Sequence, residues 1–163
     1  MRGKGFSLVE LMVVVALVAS LALCGTFVFA RYIEMQIDAV ANDYLNGIWS
    51  ARELALVRGG RFCWIQRVEI ERHGWEVVGK DGNVIVMSHR KAGVGYTFRS
   101  TRTLSDGVCF DASGVALLPS GAFQAGSIYL CSYQGSGVRI TVNRGGRVRR
   151  SMGVVEQIGC GIH

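Results

Sequence analysis

The chain has 163 residues, half of them hydrophobic and 18% charged, with 22 glycines, one proline, five cysteines and a formal net charge of +6. That length suits a single domain, and the apolar content excludes a disordered chain. Glycines without a three-residue period, in a sequence nearly free of proline, exclude a collagen-like or low-complexity one. Residues 11–30, LMVVVALVASLALCGTFVFA, carry no charge over twenty positions, about what a helix needs to cross a hydrocarbon core of ~30 Å. Arg2 and Lys4 precede the run, and this positive charge places the short N-terminus in the cytoplasm and the remainder across the membrane. Three ordinary readings of such a segment compete: a cleaved secretory signal with Ser20-Leu21-Ala22 as the small-x-small site, a lipoprotein signal ending at Cys24, and a plain uncleaved anchor. Glu10 at the head of the run and the apolar residues continuing past Ala22 oppose the first. Bulky Leu23 opposes the second, and the third leaves the residues before Leu11 unexplained.

Those residues are Gly5-Phe6-Ser7-Leu8-Val9-Glu10. With the short basic leader before them and the unbroken apolar helix after, they resemble the prepilin signature of type IV pilins and pseudopilins. The resemblance implies that a prepilin peptidase cuts between Gly5 and Phe6, that the new N-terminus at Phe6 is methylated, and that Glu10 pairs with the amino group of a neighbouring subunit during assembly. An acid inside the membrane is costly and marks a functional site by default; the competing reading is a carboxylate that snorkels to the interface. The chain then divides into a leader at 1–5, a transmembrane and assembly half of the helix at 6–30, and an amphipathic half plus β-rich head at 31–163.

From Arg31 onward the pattern turns amphipathic, with Ile33, Ile37, Val40, Ala41, Tyr44, Leu45, Ile48, Trp49 and Leu56 at three- and four-residue spacings. Gly59-Gly60 is a stop signal, so one helix is expected from Phe6 to about Arg58, roughly 80 Å long at 1.5 Å per residue. After Gly60 come short strand-like runs at 62–65, 75–78, 84–87, 96–98, 108–110, 128–130 and 138–142, separated by glycine-containing turns. The expected fold class is α+β: a long N-terminal helix packed on a small antiparallel β-sheet head, in two small sheets. This plan resembles the minor pilins of the FimT/GspH type, strongly over residues 1–60 and more loosely over the head.

Cys24 lies in the membrane segment and reads as a small apolar residue. Cys63, Cys109, Cys131 and Cys160 remain, an even number in a compartment where disulfides persist, and four cysteines allow three connectivities. The resemblance to pilins, whose tails are bridged to a strand, favours Cys131 with Cys160, and the preferred second pair is Cys63 with Cys109. No C-x-x-C pair occurs, and His73, His89 and His163 show no ligand spacing, so no metal site is expected. No cofactor or enzyme is expected either, because G-x-S-x-G, a phosphate loop and H-E-x-x-H are missing from the sequence.

Charge by region is more telling than the total. Residues 31–111 hold 11 basic and 10 acidic side chains, whereas 112–163 hold five arginines and only Glu156. Arg139, Arg144, Arg147, Arg149 and Arg150 fall within twelve residues, and in a hairpin Arg147 and Arg149 project from one face. Such a patch suits a polyanion, because guanidinium groups bind phosphate bidentately and release counterions from DNA. The ordinary alternatives are a solvated face or arginines that pair with acids on another pilin. Gly146-Arg147-Val148-Arg149 is similar to the G-R-x-R motif of FimT-type minor pilins. That resemblance implies binding of double-stranded DNA without sequence preference during natural transformation, alongside partnership with other pilins. The alternative is a GspH-type pseudopilin of a type II secretion system with a purely structural role. In either case the resemblance implies a bacterial inner-membrane protein with a periplasmic head; a type IV pilin then joins a surface filament.

Overall fold

The computed structural model describes residues 7–69, 72–91, 96–133, 135–154 and 160. Its first element is α1, Leu8–Arg58, a continuous helix of 51 residues that ends where Gly59 turns to a positive φ. Nine strands follow: β1 Phe62–Glu69, β2 Arg72–Val78, β3 Val84–Lys91, β4 Tyr96–Ser100, β5 Val108–Phe110, β6 Ala116–Leu117, β7 Gly126–Ser132, β8 Ser136–Val142 and β9 Val148–Val154. They form two antiparallel sheets, in the orders β3-β2-β1-β5-β6 and β4-β7-β8-β9. Helix α1 packs against both, and this is the expected α+β architecture.

The two halves of α1 differ because only one has a partner. No described residue before Ile33 is buried, while Ile33, Ile37, Val40, Ala41, Tyr44, Leu45, Ile48, Ala51 and Ala55 enter the core. At 100° per residue, Trp49 and Leu56 fall about 140° and 120° from Tyr44, so both stay largely exposed although their spacing had suggested the core stripe. Ala51 and Ala55 take their places, because their small side chains let the sheets approach. Gly47 serves the same end more sharply: a Cβ there would lie 2.6 Å from the Trp75 ring and 2.8 Å from Trp64 Nε1. Glycine inside a helix costs roughly 0.5–1 kcal/mol relative to alanine, and here it seats two tryptophans. Asp43, one turn away, accepts a hydrogen bond from Trp75 Nε1 at 3.1 Å and from Ser88 Oγ at 2.9 Å, tying α1 to β2 and β3.

Two disulfides staple the head. Cys63–Cys109 joins directly opposed residues of β1 and β5, and Cys131–Cys160 ties residue 160 to β7. Cys24 is free and exposed.

Candidate functional site

Two regions of the molecule carry the residues singled out by sequence. The first is the start of α1, where Leu8–Gly25 is apolar and long enough to cross a membrane, with a mean hydropathy of 2.5. Gly5 and Phe6 lie outside the described residues. Glu10 reaches back along its own helix, its Oε2 accepting the backbone N–H of Ser7 at 3.1 Å. This is the return half of a capping box, a role the sequence pattern Ser7-x-x-Glu10 already spells and the sequence reading passed over. The carboxylate is therefore held at the N-terminal end of an exposed apolar helix.

The second region is the outer face of the β4-β7-β8-β9 sheet and the turn at its end. Along β8, Val138, Ile140 and Val142 are buried, so Arg139 and Thr141 point away from the core. Register then assigns the neighbours: Arg99, Tyr129, Arg139 and Ser151 form one row across the sheet, and Ser127, Thr141 and Arg149 form the next. The Arg139 guanidinium lies 5.5 Å from the centroid of the Tyr129 ring, a cation–π distance, and its Nε donates to Ser127 Oγ at 3.1 Å. Arg99 belongs to this face, although the sequence reading did not name it. Its signal was the alternation in Tyr96-Thr97-Phe98-Arg99, where Phe98 packs against the core.

Arg144 and Arg147 occupy the β8–β9 turn. Gly146 N donates to Asn143 O at 2.9 Å, Asn143 N to Arg147 O at 3.1 Å, and Arg147 N to Asn143 Oδ1 at 2.8 Å. Gly146 has φ +72°, as a three-residue hairpin loop requires of its left-handed position. The turn is docked rather than free. Ala116 N donates to Arg144 O at 3.1 Å, and Gly146 lies so close to Gly114 that a Cβ on it would stand 1.8 Å from the Gly114 oxygen. The same oxygen accepts Arg52 Nε of α1 at 3.2 Å.

The loop beneath is fixed by Asp111, whose Oδ1 accepts from Ser113 Oγ at 2.6 Å, Ser113 N at 2.9 Å and Val115 N at 3.1 Å. The Ser113 hydroxyl foremost, joined by the backbone amides and outweighing desolvation, holds the Asp111 carboxyl below its ordinary value of 3.8. A depressed folded-state pKa means that this carboxylate's contribution is complete above about 3.8 and disappears only as pH falls through the lower folded value.

Of the five tail arginines, the fold brings four together and removes one. Arg144, Arg147 and Arg149 are exposed, and among the described residues no carboxylate pairs with them. Arg139 lies beside them on the outer face. Arg150 faces the opposite way: it stands opposite buried Ile140, forms an ion pair with Asp38, and donates from Nη1 to Asn42 Oδ1 at 2.9 Å. It is a clamp between β9 and the stalk helix.

Among the described residues, no group of three or more His, Cys, Asp or Glu side chains is placed to hold a metal ion. What the outer face offers is a group of arginines, with Arg144 and Arg147 carried on a docked turn backbone and Arg139 and Arg149 on adjacent strands.

Comparison with known proteins agrees with this fold. Residues 1–23 match the prokaryotic N-terminal methylation motif. Two crystal structures of the type IV minor pilin FimU of Pseudomonas aeruginosa share the fold. One has a TM-score of 0.57 at 15% identity over 72% of this chain and 90% of that one; the other, in a second crystal form, has 0.53 at 16% over 70% and 91%. No curated protein matches the sequence. The motif thus opens a membrane-length helix, and the fold behind it is the one seen in those minor pilins.

Proposed function

We propose that this chain is a minor pilin, held in the inner membrane by α1 and assembled with other pilins into a surface filament, and that its head binds extracellular double-stranded DNA without sequence preference, for uptake in natural transformation. The observation that carries the reading is the docked arginine turn: Arg144 and Arg147 on a hairpin fixed to β6 and α1, with Arg149 and Arg139 continuing the charge across the sheet. Guanidinium groups carried on a docked backbone suit phosphate, and each contact made with DNA releases counterions. Sequence preference is not expected, because phosphate contacts carry no base information. Upstream, we propose that prepilin peptidase cuts between Gly5 and Phe6 and that Phe6 becomes the methylated N-terminus. Glu10 then serves assembly by meeting the amino group of a neighbouring subunit.

The test of the DNA reading is a titration of labelled duplex. Removing residues 1–30 leaves the described core intact, since it begins at Ile33. A few phosphate contacts place binding at roughly 10⁻⁴ to 10⁻⁶ M, with log K falling against log salt at about −0.9 per phosphate contacted. Four arginines predict a slope near −3.6, and Arg147→Gln with Arg149→Gln should bring it to about −1.8. Equal slopes for both proteins, or no binding at low salt, would reject DNA as the ligand and favour a purely structural subunit such as a secretion pseudopilin.

A further inference from the structure

An open groove of about 480 Å³ lies where the stalk enters the head, between α1 and the ends of β8 and β9. Met35, Val138, Met152 and Val154 give it an apolar lining. Val138 is buried, but Met35, Met152 and Val154 are 71%, 64% and 54% exposed, far more than such side chains are in a closed core. Tyr32, next in the chain to Arg31 of the lining, and Tyr133, two residues before Gly135 of the lining, are exposed as well.

Charge does not account for this rim. Arg31 bonds Glu34 at 3.0 Å and Asp38 holds Arg150, so two cations and two anions cancel and a charged partner gains little. What distinguishes the rim is its level along α1. The uncharged residues 11–30 lie between Glu10 and Arg31, and at 1.5 Å per residue they measure about 30 Å, the thickness of the hydrocarbon core. Arg31 therefore marks the membrane edge on the side of the head. Met35 stands about 6 Å beyond it, within the layer of roughly 5–8 Å that headgroups add on each side of a bilayer. Met152 and Val154 share one groove with Arg31, Glu34 and Met35, which sets them close to the same level.

We propose that, while α1 is anchored in the inner membrane, this rim of the head rests in the interfacial layer of the bilayer, with Met35, Met152 and Val154 inserted among phospholipids. The proposal rests on membrane anchoring and is independent of DNA binding. Tyr32 and Tyr133 suit that layer, because a tyrosine ring is apolar and its hydroxyl polar. The depth of insertion has a limit: β9 is the last strand of its sheet, and an open sheet edge is not tolerated in hydrocarbon, whereas headgroups and water satisfy it. Anionic lipid adds nothing, since the rim is neutral and the arginine turn is remote. That turn rests on the Gly114 oxygen held by Arg52, which is about 32 Å along α1 from Arg31. Charge acts over only ~8–10 Å at moderate salt.

The test uses the purified full-length chain, without other pilins, in phosphatidylcholine vesicles. A photoreactive phenylalanine analogue replaces Met35, Met152 or Val154 in turn, with Arg149 and exposed Met87 of β3 as control positions. After irradiation, mass spectrometry measures phospholipid adducts at each site. Binding that scales with inserted apolar area predicts at least about fivefold more lipid adduct from positions 35, 152 and 154 than from 149 and 87, with yields unchanged by added phosphatidylglycerol or by salt. Equal yields at all five positions, yields that require anionic lipid, or adducts to a second copy in place of lipid would overturn the proposal. Met152→Asp with Val154→Asp, at exposed positions outside the core, should cut the lipid adduct from position 35 at least about fivefold without moving the unfolding midpoint. An undiminished adduct would also overturn it. If the unsubstituted chain washes off the vesicles in alkaline carbonate, the anchoring reading fails and takes this proposal with it; a retained chain without lipid adducts at 35, 152 and 154 defeats this proposal alone.

Discussion

Gly145 and Gly146 stand side by side in the β8–β9 turn, yet they should respond to alanine in opposite ways. At Gly145 a Cβ has Asn143 Oδ1 as its nearest neighbour at 3.6 Å, and φ is not positive. At Gly146 two costs combine. A side chain in the left-handed region costs roughly 1–2 kcal/mol, and the gap to the Gly114 oxygen must open from 1.8 Å to an ordinary 3.4 Å. That movement pulls the turn off its support and breaks the bond from Ala116 N to Arg144 O, worth about 1 kcal/mol net. Gly146→Ala is therefore expected to destabilise the head by about 2–3 kcal/mol, and Gly145→Ala by less than about 0.5 kcal/mol. With a urea m-value of about 2 kcal/mol/M, the first should lower the unfolding midpoint by about 1 M and the second leave it in place. Because neither change alters charge, weaker duplex binding by Gly146→Ala alone would trace to the position of the arginines. Equal midpoints for the two variants would refute the account of the docked turn.

Two further predictions concern the staples of the head. Loop closures of 46 and 29 residues imply about 4 kcal/mol from each disulfide, so dithiothreitol should shift urea unfolding steeply, and thiol labelling of the unreduced, denatured full chain should find Cys24 alone. Finding two or more reactive thiols would contradict the pairing. Arg150→Gln should weaken stability while leaving the salt slope of duplex binding unchanged, and a double-mutant cycle with Asp38→Asn should give a coupling of about 0.5–1 kcal/mol; a changed slope would place Arg150 on the binding face.

The length of α1 was legible because the apolar period and the Gly59-Gly60 stop are local signals, and the cysteine-bearing strands because alternation is local too. What lay beyond reading depended on partners distant in sequence. Trp49 and Leu56 carry helical spacing, but which arc of the helix meets the sheets is decided by where Trp64 and Trp75 seat on Gly47. Strand β6 has two residues, too few to show a period, and yet it receives the arginine turn. Arg99 stands 40 residues before Arg139 and reaches the same row only through β7. Arg150 is a different case, because adjacent residues of a strand face opposite sides. Parity alone would have separated it from Arg149.

That separation bears on how a weak surface could serve a filament. Arg150 spends its charge on Asp38 and fastens β9 to the stalk, while Arg52, also from the stalk, holds the oxygen on which Gly146 rests. Helix α1 thus holds the chain on either side of Arg149, at Arg150 directly and at Gly146 through the Gly114 oxygen. A guanidinium on a mobile tail loses conformational freedom when it meets phosphate, and fixing its backbone beforehand removes part of that cost. On the proposed function the gain is modest for one head, whose expected affinity stays in the range of nonspecific binders. A link from arginine turn to stalk has a second consequence under the proposed function: heads carried on one filament would present their arginines at a set angle, so that a long duplex engaging one head would meet another at raised effective concentration. Avidity of that kind requires both the array and its fixed orientation. Loosening the turn by Gly146→Ala should therefore weaken duplex capture by assembled filaments more than it weakens binding to the isolated head, and equal losses in the two assays would show that orientation contributes nothing.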